Sequence, residues 1–346
     1  MNGAKKNNIE RLRVIATLAV VMIHICMTEV NNSTLNSIGT VNYIIYSIGY
    51  DLVRWAVPVF IMITGYLLLN PQKELPDKKL FHYILRMAVT LLIFGTVYAA
   101  IEIVYTSGLG QWYLILPQAL LKVVEMGSWD HLWYLYCLIG LYIITPLIKA
   151  ATKSIQEKQL LILLCVLFVL VFLIPAVNMI TGKKFSTFYI SANQYLFYYL
   201  MGYYLSMENN RLLKYRKLVY AAGIMALITM SVWDSVKIVQ FGDYSHWIRK
   251  ANFLIPPMAV AIFVLFLSVK KLNAPTGKIL KSISRCSFGI YLVHPFFINI
   301  LYRAFHIAPT SIPIVLGIIL LFLGVFAVSW LTAWILTKLP GFKRII

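Results

Sequence analysis

Apolar runs of about twenty residues recur along the chain between short polar, basic stretches, and a run of that length is what an α-helix needs to cross a ~30 Å hydrocarbon layer. They lie near residues 14–30, 52–69, 84–106, 131–149, 159–180, 190–207, 218–236, 247–269, 286–305 and 311–337. The pattern predicts an all-α, polytopic transmembrane bundle of about ten helices. Residues 107–130 form an apolar patch broken by Pro117. That patch is too short to span comfortably, so it reads as an interfacial or re-entrant segment. The longest polar stretch falls only near 70–80. A single membrane domain over 1–346, with no soluble domain appended, is therefore expected.

Composition sharpens the class. Of 346 residues, 60% are hydrophobic and 12% charged, with a mean hydropathy of +0.79, against roughly 25% charged in a soluble domain. A formal charge of +19 could point to nucleic acid. Lys and Arg, however, divide 23 to 8 between alternating loops, which is the asymmetry of the positive-inside rule. The charge is read as topology, with both termini in the cytoplasm, the 31–50 loop outside and no nucleic-acid partner. Cys26, Cys137, Cys165 and Cys286 sit inside apolar runs without a CxxC pair or a His at ligand spacing, so neither a disulfide nor a metal site is predicted. No small-x-small cleavage site follows the basic residues before the first run. The first helix is expected to be retained.

Candidate chemistry lies inside the apolar runs. Arg13 and His24 are eleven residues apart in RVIATLAVVMIH. On a helix that step is about 1100°, within about 20° of whole turns, and ~16 Å along the axis. The two side chains share one face, and with Arg13 at an interface His24 falls about halfway through the bilayer, where an ionisable residue marks a functional site or a hydrogen bond inside the bundle. A second constellation, SFGIYLVHPFF, sets Ser287, Tyr291 and His294 at i, i+4, i+7 on one stripe, with His294 ~13 Å from Arg285 and so at a depth close to that of His24. Pro295 withdraws a hydrogen bond from the carbonyl of Tyr291 and predicts a kink, made either for a cavity or for packing. At helix ends, Asp51 and Arg54 are spaced to pair, while Asp130 and His131 stand among Trp129, Trp133, Tyr134 and Tyr136. For Asp130 and His131, acceptor binding and simple solvation stay open. The tryptophans read as a headgroup belt.

Four of these stretches together resemble the acyltransferase-3 family of integral membrane proteins, which O-acylate carbohydrates and related molecules on the outer side of bacterial membranes. RVIATLAVVMIH resembles its first-helix Arg and His, mapping to Arg13 and His24. VPVFIMITGYLLL resembles its second-helix element through Phe60, Thr64 and Gly65, HLWYLYCLIGLYIITPL its fourth-helix segment, and SFGIYLVHP its late Ser, Tyr, Leu, His element. Many members carry two arginines three apart at the start of the third helix, thought to hold the donor's phosphates. Here KKLFHYILRM offers Tyr83 and Arg86, with Lys78, Lys79 and His82 as further cations.

The resemblance implies a multi-pass enzyme of the bacterial plasma membrane that moves an acyl group, acetyl by expectation, from cytoplasmic acyl-CoA to a hydroxyl of an extracytoplasmic or lipid-linked carbohydrate. His24 would act as general base or as covalent acyl relay, with His294 as the second catalytic candidate. Arg13, Arg86 and Lys79 would bind the donor. Ser287, Tyr291, Asp130, His131, Asp51 and Arg54 would contact the acceptor or support the site. A cavity reaching both histidines from a mouth near Arg13 and Arg86 is expected. Acetyl-CoA enters as co-substrate, with no permanently bound cofactor, and the expected partners are membrane lipid and glycan-assembly proteins. The rival reading is a secondary transporter or polysaccharide exporter, which intramembrane His and Arg would also serve. No matching pair of Gly/Pro-broken segments supports it.

Overall fold

The computed structural model describes residues 3–32, 35–182, 193–208, 210–241, 252–268, 277–307 and 312–345. Among these there is no strand. In order the helices are α1 (Gly3–Asn32), α2 (Leu35–Ile38), α3 (Thr40–Asp51), α4 (Ala56–Leu68), α5 (Asp77–Ser107), α6 (Trp112–Val124), α7 (Trp133–Thr152) and α8 (Glu157–Phe168). They continue with α9 (Ile174–Thr181), α10 (Gln194–Ser206), α11 (Arg211–Lys214), α12 (Arg216–Phe241), α13 (Ile255–Ser268), α14 (Lys278–Asn299) and α15 (Ile314–Leu336). Each of the ten apolar stretches carries helix. Among the described residues, 7 helices are long and apolar enough to cross a membrane. α10 and α13 fall short of that length, and α14 is not among the seven. Ser33 and Lys183, Lys184, Arg249, Lys250, Lys270 and Lys271, which enter the loop and charge readings, lie outside the described residues.

The chain forms two compact units. One comprises Met1–Asn70 and Ile155–Thr332, the other Pro71–Ser154 and Ala333–Ile346. In the first unit, α1 packs on α14, α3 and α4, and α12 packs on α13 and α3. The 31–50 stretch, read from sequence as an outer loop, proves mostly helical. Tyr43, Tyr46, Ser47 and Asp51 of α3 are buried, and Tyr43 and Tyr46 join Cys26, Ile238 and Ile318 in one apolar cluster. Asn42, Ser47 and Asp51 make the stretch look polar, yet its buried positions recur at helical spacing, and the helix runs almost directly into α4.

Proline shapes the α8–α9 span. Pro175 cannot donate to the preceding turn, and residues Val169–Leu173 widen into a π-helical turn just ahead of it, so the rod continues without a break. Exposed Leu218, Ile224, Ile228 and Val232 on α12 and Leu316, Ile319, Leu320 and Leu323 on α15 are faces that suit lipid rather than water.

The tightest helix contact of the first unit joins α4 to α10. A Cβ added to Gly65 would overlap the carbonyl oxygen of Tyr199, and one added to Gly202 would overlap that of Met62. The two glycines are reciprocal: each makes room for the other helix's backbone, as small residues do where membrane helices approach closely. In the second unit, α5 carries α6 and α7. The hydroxyl of Tyr136 donates to the carbonyl of Val123, fixing the end of α6. At 13 residues with Pro117 inside, α6 is a helix too short to span, as its sequence predicts. The Gly202→Ala variant should lose about 1–3 kcal/mol from overpacking. Gly140→Ala, where nothing lies within 4 Å of the added carbon, should melt like the parent in a detergent thermal-unfolding assay. Equal melting of the two variants would contradict the α4–α10 contact.

Candidate functional site

Two histidines from helices far apart in sequence meet in the first unit. The rings of His24 on α1 and His294 on α14 lie 4.9 Å apart between centroids, tilted by 53°. The α1–α14 packing places them, and it answers the sequence expectation of two imidazoles at matching depth. Their environments differ. His294 is fully buried, at 0% exposure, whereas His24 keeps part of its surface. The Nδ1 of His294 stands 3.0 Å from the carbonyl oxygen of Ile290. A carbonyl can only accept, so in this contact Nδ1 carries a proton and donates.

The rest of the α14 stripe is anchored locally. Ser287 donates to the carbonyl of Ser284 at 3.0 Å, and the Tyr291 ring stacks on Phe288 at 6.2 Å and lies 6.3 Å from His294. α14 is helical through Pro295, and the Asn299 amide donates to the Pro295 carbonyl at 2.9 Å ahead of a π-helical turn at Ile300–Ala304. Arg13 is half-buried on α1, and Thr17 one turn on donates to its carbonyl at 2.8 Å.

Asp51 and Arg54 pair as their spacing predicts, with the guanidinium 3.7 Å from the carboxylate. Sequence reasoning missed the third member. Asp234 of α12 lies 3.8 Å from the same guanidinium, which also donates to Asn252 at 3.0 Å and covers the Tyr50 ring at 5.2 Å. All three charges are buried. An Asp in mid-helix, in an apolar run on one face of α12, was the available signal, since such a residue needs a partner from elsewhere.

In the second unit, Lys79 lies 6.0 Å over the ring of Tyr83, whose own ring meets Tyr142 at 5.9 Å. Arg86 Nε donates to the carbonyl of Ile345 at 3.2 Å. Asp130 is exposed where a 3₁₀ turn leads into α7, while His131 is buried beside Tyr98 at 5.6 Å. Trp129 departs from the headgroup-belt reading: it stacks on Tyr98 at 4.2 Å with rings 4° from parallel and donates to Glu102 at 3.2 Å. Among the described residues no group of His, Cys, Asp and Glu is arranged to hold a metal.

A multi-pass helical bundle that brings two imidazoles together inside its apolar interior has the makings of an integral membrane enzyme. Residues 6–334 match the acyltransferase-3 family of acyltransferase domains, and the chain belongs to that family. It is a membrane-bound acyltransferase. Among curated proteins it is 25% identical over 342 residues to "Putative membrane-bound acyltransferase YfiQ" of Bacillus subtilis (strain 168), a match covering 94% of this chain and 90% of that protein. No solved structure matches the chain.

Removing the cation from a buried charge cluster leaves uncompensated carboxylates, and breaking such a pair typically costs about 3–5 kcal/mol. Arg54→Met should therefore lower the melting temperature sharply. Adding Asp51→Asn and Asp234→Asn to that variant should restore part of the loss. Unchanged melting of Arg54→Met would contradict the cluster.

Proposed function

We propose that this acyltransferase moves an acyl group, acetyl foremost, from cytoplasmic acyl-CoA to a hydroxyl of an extracytoplasmic or lipid-linked carbohydrate, working in a bacterial plasma membrane. The observation that carries the reading is the 4.9 Å approach of His24 to His294 inside the bundle, in a chain of an acyltransferase family. Membership of that family also favours the transferase over the secondary transporter or polysaccharide exporter.

His24 is the catalytic residue in this reading, because it is the member of the pair that keeps accessible surface. As general base it takes the proton of the acceptor hydroxyl while the oxygen bonds to the thioester carbonyl carbon. The carbon–sulfur bond then breaks, and the thiolate leaves with the proton that His24 returns. The relay route instead forms an acyl-imidazole with release of the thiol, and the acceptor oxygen displaces the imidazole in a second step. His294, buried and held by Ile290, is a positioning residue that fixes the His24 ring by contact. Ser287 and Tyr291 support that stripe, and the buried Asp51–Arg54–Asp234 cluster supports the helices around it.

Arg13, about 16 Å along α1 from His24, suits the donor's phosphates, and Arg86 and Lys79 on α5 offer the same chemistry. Asp130, exposed, and His131 beside it are candidates for hydrogen bonds to a hydroxyl-rich acceptor. Acetyl-CoA enters and leaves as co-substrate, and the partners in this reading are membrane lipid and proteins of glycan assembly.

His24→Ala should leave a protein that folds and binds CoA but transfers acyl groups about 10²- to 10⁴-fold more slowly. A reconstituted transfer assay with CoA titration beside it reads both quantities. Near-normal transfer by this variant would remove the catalytic role.

A further inference from the structure

One face of α5 carries Lys79, Tyr83, Arg86, Thr90 and Phe94 at i, i+4, i+7, i+11 and i+15, a continuous helical stripe. A short 3₁₀ turn, Phe342–Arg344, followed by Ile345, lies along it within the second unit. The ring of Phe342 meets that of Phe94 edge-on at 6.5 Å. Three residues further on, the carbonyl of Ile345 accepts from Arg86 Nε at 3.2 Å and from the Thr90 hydroxyl at 3.1 Å. The segment thus runs from Phe94 toward the start of α5, where Lys79 stands.

A 3₁₀ turn has three residues per turn, so positions i and i+3 eclipse. Phe342 and Ile345 therefore face α5 together and are half-buried, while Lys343 and Arg344 between them are exposed. The contact with the Ile345 carbonyl orients the Arg86 guanidinium. The segment brings two more cations, Lys343 and Arg344, toward the same stripe. α5 itself has Tyr83 rather than a second Arg one turn before Arg86.

We propose that Lys343 and Arg344, carried to α5 by this anchored turn, complete with Arg86 and Lys79 a binding site for the phosphate groups of the acyl donor. The proposal rests on the donor role given to Arg86 above. The ligand class is a multiply charged phosphate ester. Two guanidinium and two ammonium groups brought to one phosphate ester would match its charge, and the arginines would add directional hydrogen bonds to its oxygens. Anionic lipid headgroups carry the same phosphate chemistry, and the test separates the two.

The experiment titrates CoA into the purified full-length protein in uncharged detergent, at several salt concentrations, with and without phosphatidylglycerol. It compares the parent with Lys343→Gln/Arg344→Gln and with Arg86→Gln. Both altered residues of the double variant are exposed, and its melting temperature should stay at the parent value. Its affinity for CoA should fall about tenfold and its salt dependence should flatten, since screened charge contacts are what it has lost. Arg86→Gln should weaken CoA binding as well. An effect of Arg86→Gln with none from the double variant would overturn the proposal and leave the donor reading standing. No effect of Arg86→Gln would overturn the donor reading itself. Tighter CoA binding by the double variant would mean that the segment competes with the donor. CoA binding unchanged in the double variant with loss of bound phosphatidylglycerol would assign the cations to lipid. Either of those results overturns the proposal.

Discussion

Placing charge or a ring nitrogen in an apolar interior is expensive unless a partner is supplied, and much of this structure follows from how partners are supplied. Arg54 draws Asp51 from one turn away and Asp234 from α12 nearly two hundred residues later. The His24 ring packs against the ring of His294 from the far end of the chain. Each match fixes which helices must be neighbours, because a partner reached through space constrains packing more tightly than interchangeable apolar contacts do.

The apolar packing then has to let those partners reach each other. Gly65 and Gly202 allow α4 and α10 to approach until backbone meets backbone, and α1 is packed at once against α3, α4 and α14. The outcome for chemistry is an asymmetric pair. One imidazole is sealed and held by the Ile290 carbonyl, and the other is half-buried.

Much of this was legible in the chain. Apolar run length predicted the helices, and the eleven-residue step from Arg13 to His24 put both on one face, because a single helix obeys one period. The Asp51–Arg54 pair was readable for the same reason. What could not be read was contact between elements. Asp234 gives no local hint of Arg54, and Trp129 looks like any interfacial tryptophan until Tyr98 and Glu102 are seen against it. α3 was misread as loop because its polar positions masked a helical burial pattern. Of the four stretches that carry the family resemblance, three lie in the first unit, Gly65 among them, and the one on α7 lies in the second.

This bundle performs acyl transfer rather than carriage of a solute. Incubating the purified protein in detergent with radiolabelled acetyl-CoA removes any gradient and any second compartment, so chemistry is the only signal left. Label should pass to added carbohydrate acceptors, or the thioester should be hydrolysed slowly, and either signal should be lost on removal of the His24 imidazole. Failure to bind acetyl-CoA, together with solute counterflow in proteoliposomes, would contradict acyl transfer.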